Sequence, residues 1–341
     1  MIQIGILGCG NIARGRHIPE YAANPDCTLR GYYNPTRSKA EEMAARFGGT
    51  VYDSADELLA DPMIDAVSVC TANDMHAEYA IRAMKAGKHV LCEKPMATTL
   101  PLAEEMVRVS RETGKLLMIG HNQQLLPAHT EAKEMLDAGL IGRVLSFRTT
   151  FGHGGPEMFM AVKDMNSWFF RRERAGMGVL ADLGIHKIDL IQYLLGDRAV
   201  RVSAMLQTLD KRKDSGAPID VDDNAVCLLE MAGGAVGTVT ASWTYYGDAD
   251  NSTVLYGTKG VMKLYEDPEH PLIVKLADRS TVIGNAPPAD HRAPTGIVNC
   301  WIESIKAGKV LHADAESSLQ AMKTVFAAIE SAETGKSVAI D

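Results

Sequence analysis

Three groups of residues in this 341-residue chain combine side chains and spacings that chemistry can use. The first is a glycine turn. Residues 2–7 (IQIGIL) form a short apolar run, and Gly8, Gly10 and Ala13 follow in the order G-x-G-x-x-A before helix-compatible sequence. In a strand–turn–helix unit the first glycine permits the turn, the second lets backbone amides approach a pyrophosphate, and the small third residue lets helix and strand pack closely. The second group is Glu93-Lys94-Pro95, where the run HVLC ends on a charged pair and a proline that cannot continue a ladder. A lysine at the carboxyl end of a parallel strand can meet a nicotinamide or a substrate hydroxyl, although the same tripeptide also suits a surface turn. The third group lies in Val179–Leu195, whose apolar pattern predicts a helix with Asp182, His186, Asp189 and Tyr193 on a shared stripe. The i, i+4 spacing puts Asp182 and His186 on one face, within reach of a common ligand. Such a stripe can be a helix's wet side, an acid–base pair, or, with Asp189, a metal set. No supporting His or Cys cluster flanks it, so no metal is expected.

The elements that must position these groups are legible from periodicity. Strand-like runs recur at 29–34 (LRGYYN), 65–71 (DAVSVCT), 89–94 (HVLCEK) and 115–121 (KLLMIGH), reading as buried parallel strands. Between them the stripes Ala40, Met43, Ala44, Phe47, then Ala77, Ile81, Met84, then Leu102, Met106, Val109 read as helices. Alternating βα units imply a doubly wound α/β domain over residues 1–122. At the end of the second strand, where an acid usually holds a ribose 2′-hydroxyl, stands Asn34, followed by Pro35, Thr36, Arg37 and Ser38. Asn34 brings no charge to repel a 2′-phosphate and Arg37 can contact one, which leans the cofactor from NAD toward NADP; helix capping by Thr36 or Ser38 beside a solvated Arg37 explains the same residues.

The remainder, residues 123–341, reads as a second domain. Residues 151–173 have weak periodicity, with His153 among glycines and Trp168 beside Phe169, as in a substrate loop where an indole can pack on a sugar ring; a core aromatic and a loop histidine fit equally well. From 200 to 283 strand-like runs dominate and fit one antiparallel sheet, whose uncovered face could meet a second subunit. A proline-rich loop over 284–296 and two helical patterns close the chain.

Composition narrows the function classes. Hydrophobic residues make up 46% and charged residues 23%, as in a globular protein with a sizeable core. The net charge of -8 has the wrong sign for a nucleic-acid partner. No window approaches the ~20 apolar residues of a membrane helix, and the start MIQIGILGCG lacks an export signal, so a cytoplasmic protein with no membrane partner is expected. The six scattered cysteines form no C-x-x-C pair and read as reduced thiols.

Four stretches together resemble the glucose-fructose oxidoreductase and inositol dehydrogenase family, Gfo/Idh/MocA: GCGNIA (8–13), TANDMHAEYAIRAMKAGKHVLCEKP (71–95), GMGVLADLGIHKIDL (176–190), and Trp301 to Val338. The resemblance implies an amino-terminal Rossmann domain, then an α/β domain whose large, open, mostly antiparallel sheet serves a homo-oligomer, dimer or tetramer. It implies oxidation or reduction of a sugar, inositol or related polyol with NAD or NADP. It places the catalytic residues on Lys94, Asp182 and His186. Cofactor contacts are expected at Gly8, Gly10, Asn11, Ile12, Asn34, Arg37, Thr71, His76, Glu93 and Lys94, and substrate contacts at Lys94, Asn122, His153, Trp168, Asp182 and His186. It also implies that the Lys94–Pro95 peptide can be cis. In HNQQLLP (121–127), where relatives often carry an arginine, this chain has Gln123 and Gln124, so a fixed positive charge is missing.

The expected chemistry follows. Imidazole titrates at about 6.5 and lysine at about 10.4, so His186 suits proton transfer from a secondary hydroxyl, with Asp182 orienting it and Lys94 stabilising alkoxide charge. Burial of the lysine could exchange those two roles. A glycoside-cleaving enzyme that oxidises its sugar transiently, and a non-catalytic sugar- or nucleotide-sensing protein, are the competing readings.

Overall fold

The computed structural model describes residues 1–159, 164–288 and 294–341; residues 160–163 of the expected substrate loop (151–173) and 289–293 of the proline-rich loop (284–296) lie outside the described residues. The chain divides into two compact units, Met1–Asn122 with Pro294–Leu319, and Gln123–Ala293 with Gln320–Asp341.

In the first unit the strands are β1 (Ile2–Leu7), β2 (Cys27–Tyr33), β3 (Thr50–Val51), β4 (Ala66–Val69), β5 (His89–Cys92) and β6 (Leu117–Ile119). They pair in the order β3-β2-β1-β4-β5-β6, all parallel. Helices α1 (Ile18–Ala23), α2 (Arg37–Phe47), α3 (Ala55–Ala60), α4 (His76–Lys85) and α5 (Leu100–Thr113) make the crossovers. Every residue of β4 is buried, as a strand covered on both faces requires. The expected helix stripes hold with one correction: Leu102 is exposed because α5 turns Ala103, Met106, Val107 and Val109 to the sheet. The strand order reverses between β1 and β4. Loops at the carboxyl ends of those two strands flank the crevice where such sheets bind ligands.

The second unit is built on a nine-stranded sheet among the described residues. Its strands are β7 (Val144–Gly152), β8 (Ala199–Gln207), β9 (Asn224–Met231), β10 (Val236–Ser242), β11 (Thr253–Gly257), β12 (Gly260–Leu264), β13 (Leu272–Leu276), β14 (Thr281–Ile283) and β15 (Val338–Ala339). They run β14-β13-β12-β11-β7-β10-β9-β8-β15, with β7 and β10 parallel and every other pair antiparallel. Along β9 the residues alternate buried and exposed, the signature of a sheet with one packed and one open face. Helices α6 (Pro127–Asp137), α7 (Arg172–Ala175) and α8 (Ile185–Leu195) follow β6 and β7, and α8 packs on β7 and α6. The closing helical patterns are α9 (Ile297–Ala307) and α10 (Ala315–Thr334). No helix among the described residues is long and apolar enough to cross a membrane, and all six cysteines are free thiols.

Candidate active site

In the first unit the turn after β1 has the form its sequence implies. Gly8 has φ +95°, and a Cβ there would stand 2.6 Å from the Cys70 carbonyl oxygen, so only glycine fits. Gly10 meets nothing closer than 4.0 Å, so its missing side chain keeps the space above the turn open rather than making room for protein. The helix begins at Asn11 and passes through a π-turn, Ala13–His17, into α1. Arg14 N–H donates to Gly10 O at 3.0 Å, so the amides of Asn11 and Ile12 lie ahead of that bond, at the end of a helix that favours anions. Just past β4, Thr71 Oγ1 is buried and no group among the described residues hydrogen-bonds to it. Open space over a glycine turn, helix-start amides and an orphaned hydroxyl fit a dinucleotide.

Asn34 ties that turn to the end of β2: its Oδ1 accepts from Cys9 N–H at 2.9 Å and its Nδ2 donates to Thr36 O at 3.0 Å. Arg37 is half-exposed and pairs with Glu41 at 2.8 Å and with Asp53.

At the end of β5 the Lys94–Pro95 peptide is cis. His76, fully buried, has Nδ1 2.8 Å from Pro95 O and Nε2 3.2 Å from Thr71 O; a neutral ring donates to one of these carbonyls, and the shorter contact is to Pro95. Burial lowers its pKa, more than these carbonyls and Glu93 raise it. Glu93 accepts from His17 Nε2 at 2.9 Å and from the Lys94 backbone N–H at 3.2 Å. Burial opposes ionisation of Glu93, but His17, Lys94 and His76 outweigh it and hold the carboxyl below its usual range. Burial likewise opposes protonation of His17, and Cys70 and Glu93 outweigh it, so the imidazole is held well above its ordinary value. His17 also reaches Ser68 Oγ at 3.3 Å, and Tyr21 OH meets the same oxygen at 2.7 Å. Asn122 sits in the short turn that closes the first unit, its N–H on Gly120 O at 2.9 Å.

In the second unit the expected helix over 179–195 starts as a π-turn, Leu180–Gly184, and continues as α8. π-turns inside helices concentrate at functional sites. Asp182 lies in this turn and His186 one turn on. Asp222 grips the turn's start: its carboxylate accepts from Gly178 N–H (3.0 Å) and Leu180 N–H (2.9 Å), and its carbonyl accepts from Val179 N–H (2.9 Å). The fully buried Trp243 donates its indole N–H to Asp182 Oδ2 at 3.0 Å, and Phe170 stands edge-on against Trp243 at 5.9 Å. The Asp182–His186–Asp189 stripe is therefore no wet face; His186, Lys187 and Asp189 are all buried.

The aromatic ring of Phe151, near the end of β7, lies 5.8 Å from the His186 ring and 6.0 Å from the His153 ring. The structure thus joins His153 to His186 through one phenyl ring. Trp168 stacks on Phe169 at 3.9 Å, and its turn connects to Asp182 through Phe170 and Trp243.

Both Asp189 carboxylate oxygens accept from Gln124 Nε2, at 3.1 and 2.9 Å. Gln123 Nε2 donates to Asn251 Oδ1 at 3.1 Å, and Lys187 Nζ donates to Asn251 O at 2.8 Å. Beside these residues lies Lys187, fully buried in α8. Burial pulls its pKa down to about 7, against the opposing pull of Asp250.

Trp243, Asp222, Phe151, Lys187 and His17 escaped the sequence reading. Trp243 lies in a strand-like run, where an aromatic signals only sheet, and Phe151 opens the stretch read as a substrate loop, whereas the structure makes it part of β7. The adjacent acids Asp222-Asp223, ahead of a strand in an apolar context, were the one local hint.

Residues 2–121 match the oxidoreductase family with the NAD-binding Rossmann fold, and residues 129–263 match the GFO/IDH/MocA C-terminal domain. The chain is 32% identical over 286 residues to levoglucosan dehydrogenase of Pseudarthrobacter phenanthrenivorans, spanning 76% of this chain and 72% of that one. It is 25% identical over 346 residues to myo-inositol 2-dehydrogenase of Thermotoga maritima, spanning 100% and 99%. A solved structure of levoglucosan dehydrogenase with NADH and levoglucosan aligns at a TM-score of 0.88 with 28% identity, covering 99% of both chains.

Proposed function

The chain belongs to the Gfo/Idh/MocA family of NAD(P)-dependent oxidoreductases that act on sugars, inositols and related polyols, and from that premise we propose that Lys94, Asp182 and His186 carry the proton and charge side of its reaction at a secondary carbon. The observation that carries this assignment is the indole bond from Trp243 to Asp182: a carboxylate aimed by a buried donor, one helical turn before a buried histidine. In the oxidising direction His186 accepts the hydroxyl proton, Asp182 orients the imidazole, and Lys94 donates a hydrogen bond to the oxygen as alkoxide charge develops. The nicotinamide takes up or returns the hydride. Gly8, Gly10, Asn11 and Ile12 hold the pyrophosphate, Thr71 supplies its orphaned hydroxyl, and Glu93 and His76 shape the loop that carries Lys94.

The same reading extends to cofactor and assembly. Asn34 presents no carboxylate to a 2′-phosphate, and Arg37 is tied only by surface pairs worth about 0–1 kcal/mol each, so the β2 turn accepts NADP and favours it over NAD. On the open face of the sheet Met205, Val226 and Leu228 are each more than half exposed, with Met205 directly opposite Val226. That supports a homo-oligomer formed through this face. The substrate is a ring sugar, anhydrosugar or cyclitol, in line with relatives named for levoglucosan and myo-inositol.

The deciding experiment mixes the purified protein with NAD or NADP against a panel of inositols, aldoses, ketoses, anhydrosugars and simple glycosides, recording reduced-nicotinamide absorbance. Substrate-dependent reduction is expected. Silence with both nucleotides, together with cleavage of a glycoside, would replace net oxidoreduction by transient oxidation.

A further inference from the structure

The loop that follows β7 is built around a buried ion pair. Lys211 Nζ donates to the Glu157 carboxylate and to Gly154 O, the latter at 2.6 Å, and the two side chains are only 4% and 3% exposed. The Tyr246 ring stands 4.7 Å from the same Nζ, and Tyr246 OH donates to Asp210. Lys211 is itself fixed from behind. The Asp223 carboxylate accepts from the backbone N–H groups of Leu209, Asp210 and Lys211 at 2.7, 2.8 and 2.7 Å. Gly155 adopts φ +102°, and a Cβ there would stand 2.4 Å from Glu157 Oε2 and 2.9 Å from Lys211 Nζ, so the pair fills the place of a side chain.

A pair this far from water is a poor source of stability, because desolvation offsets most of its attraction; what it supplies is one geometry. The geometry it holds is that of His153. Its Nδ1 accepts from Gly155 N–H at 3.0 Å, which puts the ring proton on Nε2. Its backbone N–H donates to Ser242 O at 3.0 Å, and its ring stands edge-on to Phe159 at 5.1 Å and to Phe151 at 6.0 Å. Phe151 in turn touches His186. The loop therefore delivers a tautomer-defined imidazole to within one phenyl ring of the proposed proton acceptor.

Resting on the assignment of His186, we propose that Lys211 is a positioning residue for substrate selection: through Glu157 and Gly154 it holds His153, with Nε2–H as the donor, against a ring hydroxyl of the sugar. The role is one of orientation. Lys211, only 4% exposed, acts through Glu157 and Gly154, and its effect appears in which hydroxyl pattern is accepted.

The test compares the full-length parent with Lys211→Met/Glu157→Leu, Lys211→Arg and His153→Ala, measuring kcat and KM for the best substrate, its ring epimers and the nucleotide. The double variant replaces the pair by apolar side chains of similar volume, which buried pairs tolerate without loss of fold. Its substrate KM is expected to rise about tenfold and its preference among epimers to narrow, with nucleotide KM unchanged. Lys211→Arg keeps the charge but cannot reproduce the compact two-way contact, and a smaller shift in the same direction is expected. Parental KM and preference in a folded double variant overturn the proposal; should that variant not fold, the same parental result in Lys211→Arg does so. A raised substrate KM in His153→Ala beside parental Lys211 variants removes only the positioning role. Parental KM in His153→Ala instead removes the substrate contact on which it rests.

Discussion

Trp243 Nε1–H donates to Asp182 Oδ2 at 3.0 Å, joining the last residues before a loop off β10 to the π-turn that opens the helix of His186. A hydrogen bond to a charged group contributes about 1.5–3 kcal/mol. In Trp243→Phe the ring volume is largely kept and the donor is lost, so kcat should fall roughly tenfold or more while nucleotide affinity stays within twofold. Steady-state kinetics beside nucleotide titration checks this; an unchanged kcat would show that the indole only fills the core.

His186→Ala and Lys94→Ala should each lower turnover by about 100-fold or more with nucleotide affinity within several fold, because both act on the reacting oxygen rather than on the dinucleotide. Near-normal turnover in both variants would sink the assignment.

Lys187 makes stability depend on pH. Its folded pKa of about 7 lies below the ordinary 10.5, so the unfolded chain binds the extra proton between those values. Its burial is a full penalty below pH 7, which fades as pH rises toward 10.5. Melting temperature contributed by this group should therefore climb across that window, and Lys187→Met should flatten the climb and raise the melting temperature most at the acidic end. A Met variant whose profile parallels the parent's would refute the titration.

Cofactor choice is read at the end of β2. Arg37→Ala should lower the ratio of kcat/KM for NADP over NAD by about tenfold, by removing a charge-assisted contact to the 2′-phosphate. Asn34→Asp should shift the ratio the same way through repulsion. An unmoved ratio in both would place the discrimination elsewhere.

Much of this was local in the sequence. The alternation of short apolar runs with 3.6-period stripes dictated the parallel sheet, since each pattern is a covalent record of which side chains must face a core. The glycine turn was equally legible, because φ +95° at Gly8 and a bare Gly10 are demands on single residues. Lys94, Asp182 and His186 stood out through motif and spacing.

What surrounds those residues was decided only by tertiary structure. Trp243, Asp222, Phe151 and Lys211 act on partners 61, 42, 35 and 54 residues away for Asp182, Leu180, His186 and Glu157, with no periodicity linking them. Lys187 sat on an apparently ordinary amphipathic helix, yet α8 is covered on nearly every side, and burial rather than residue type lowers its pKa. The return of residues 294–319 to the first unit has no local mark either. A side chain's type is written in the chain, but its desolvation, its tautomer and its hydrogen-bond partner exist only once distant segments have packed against it.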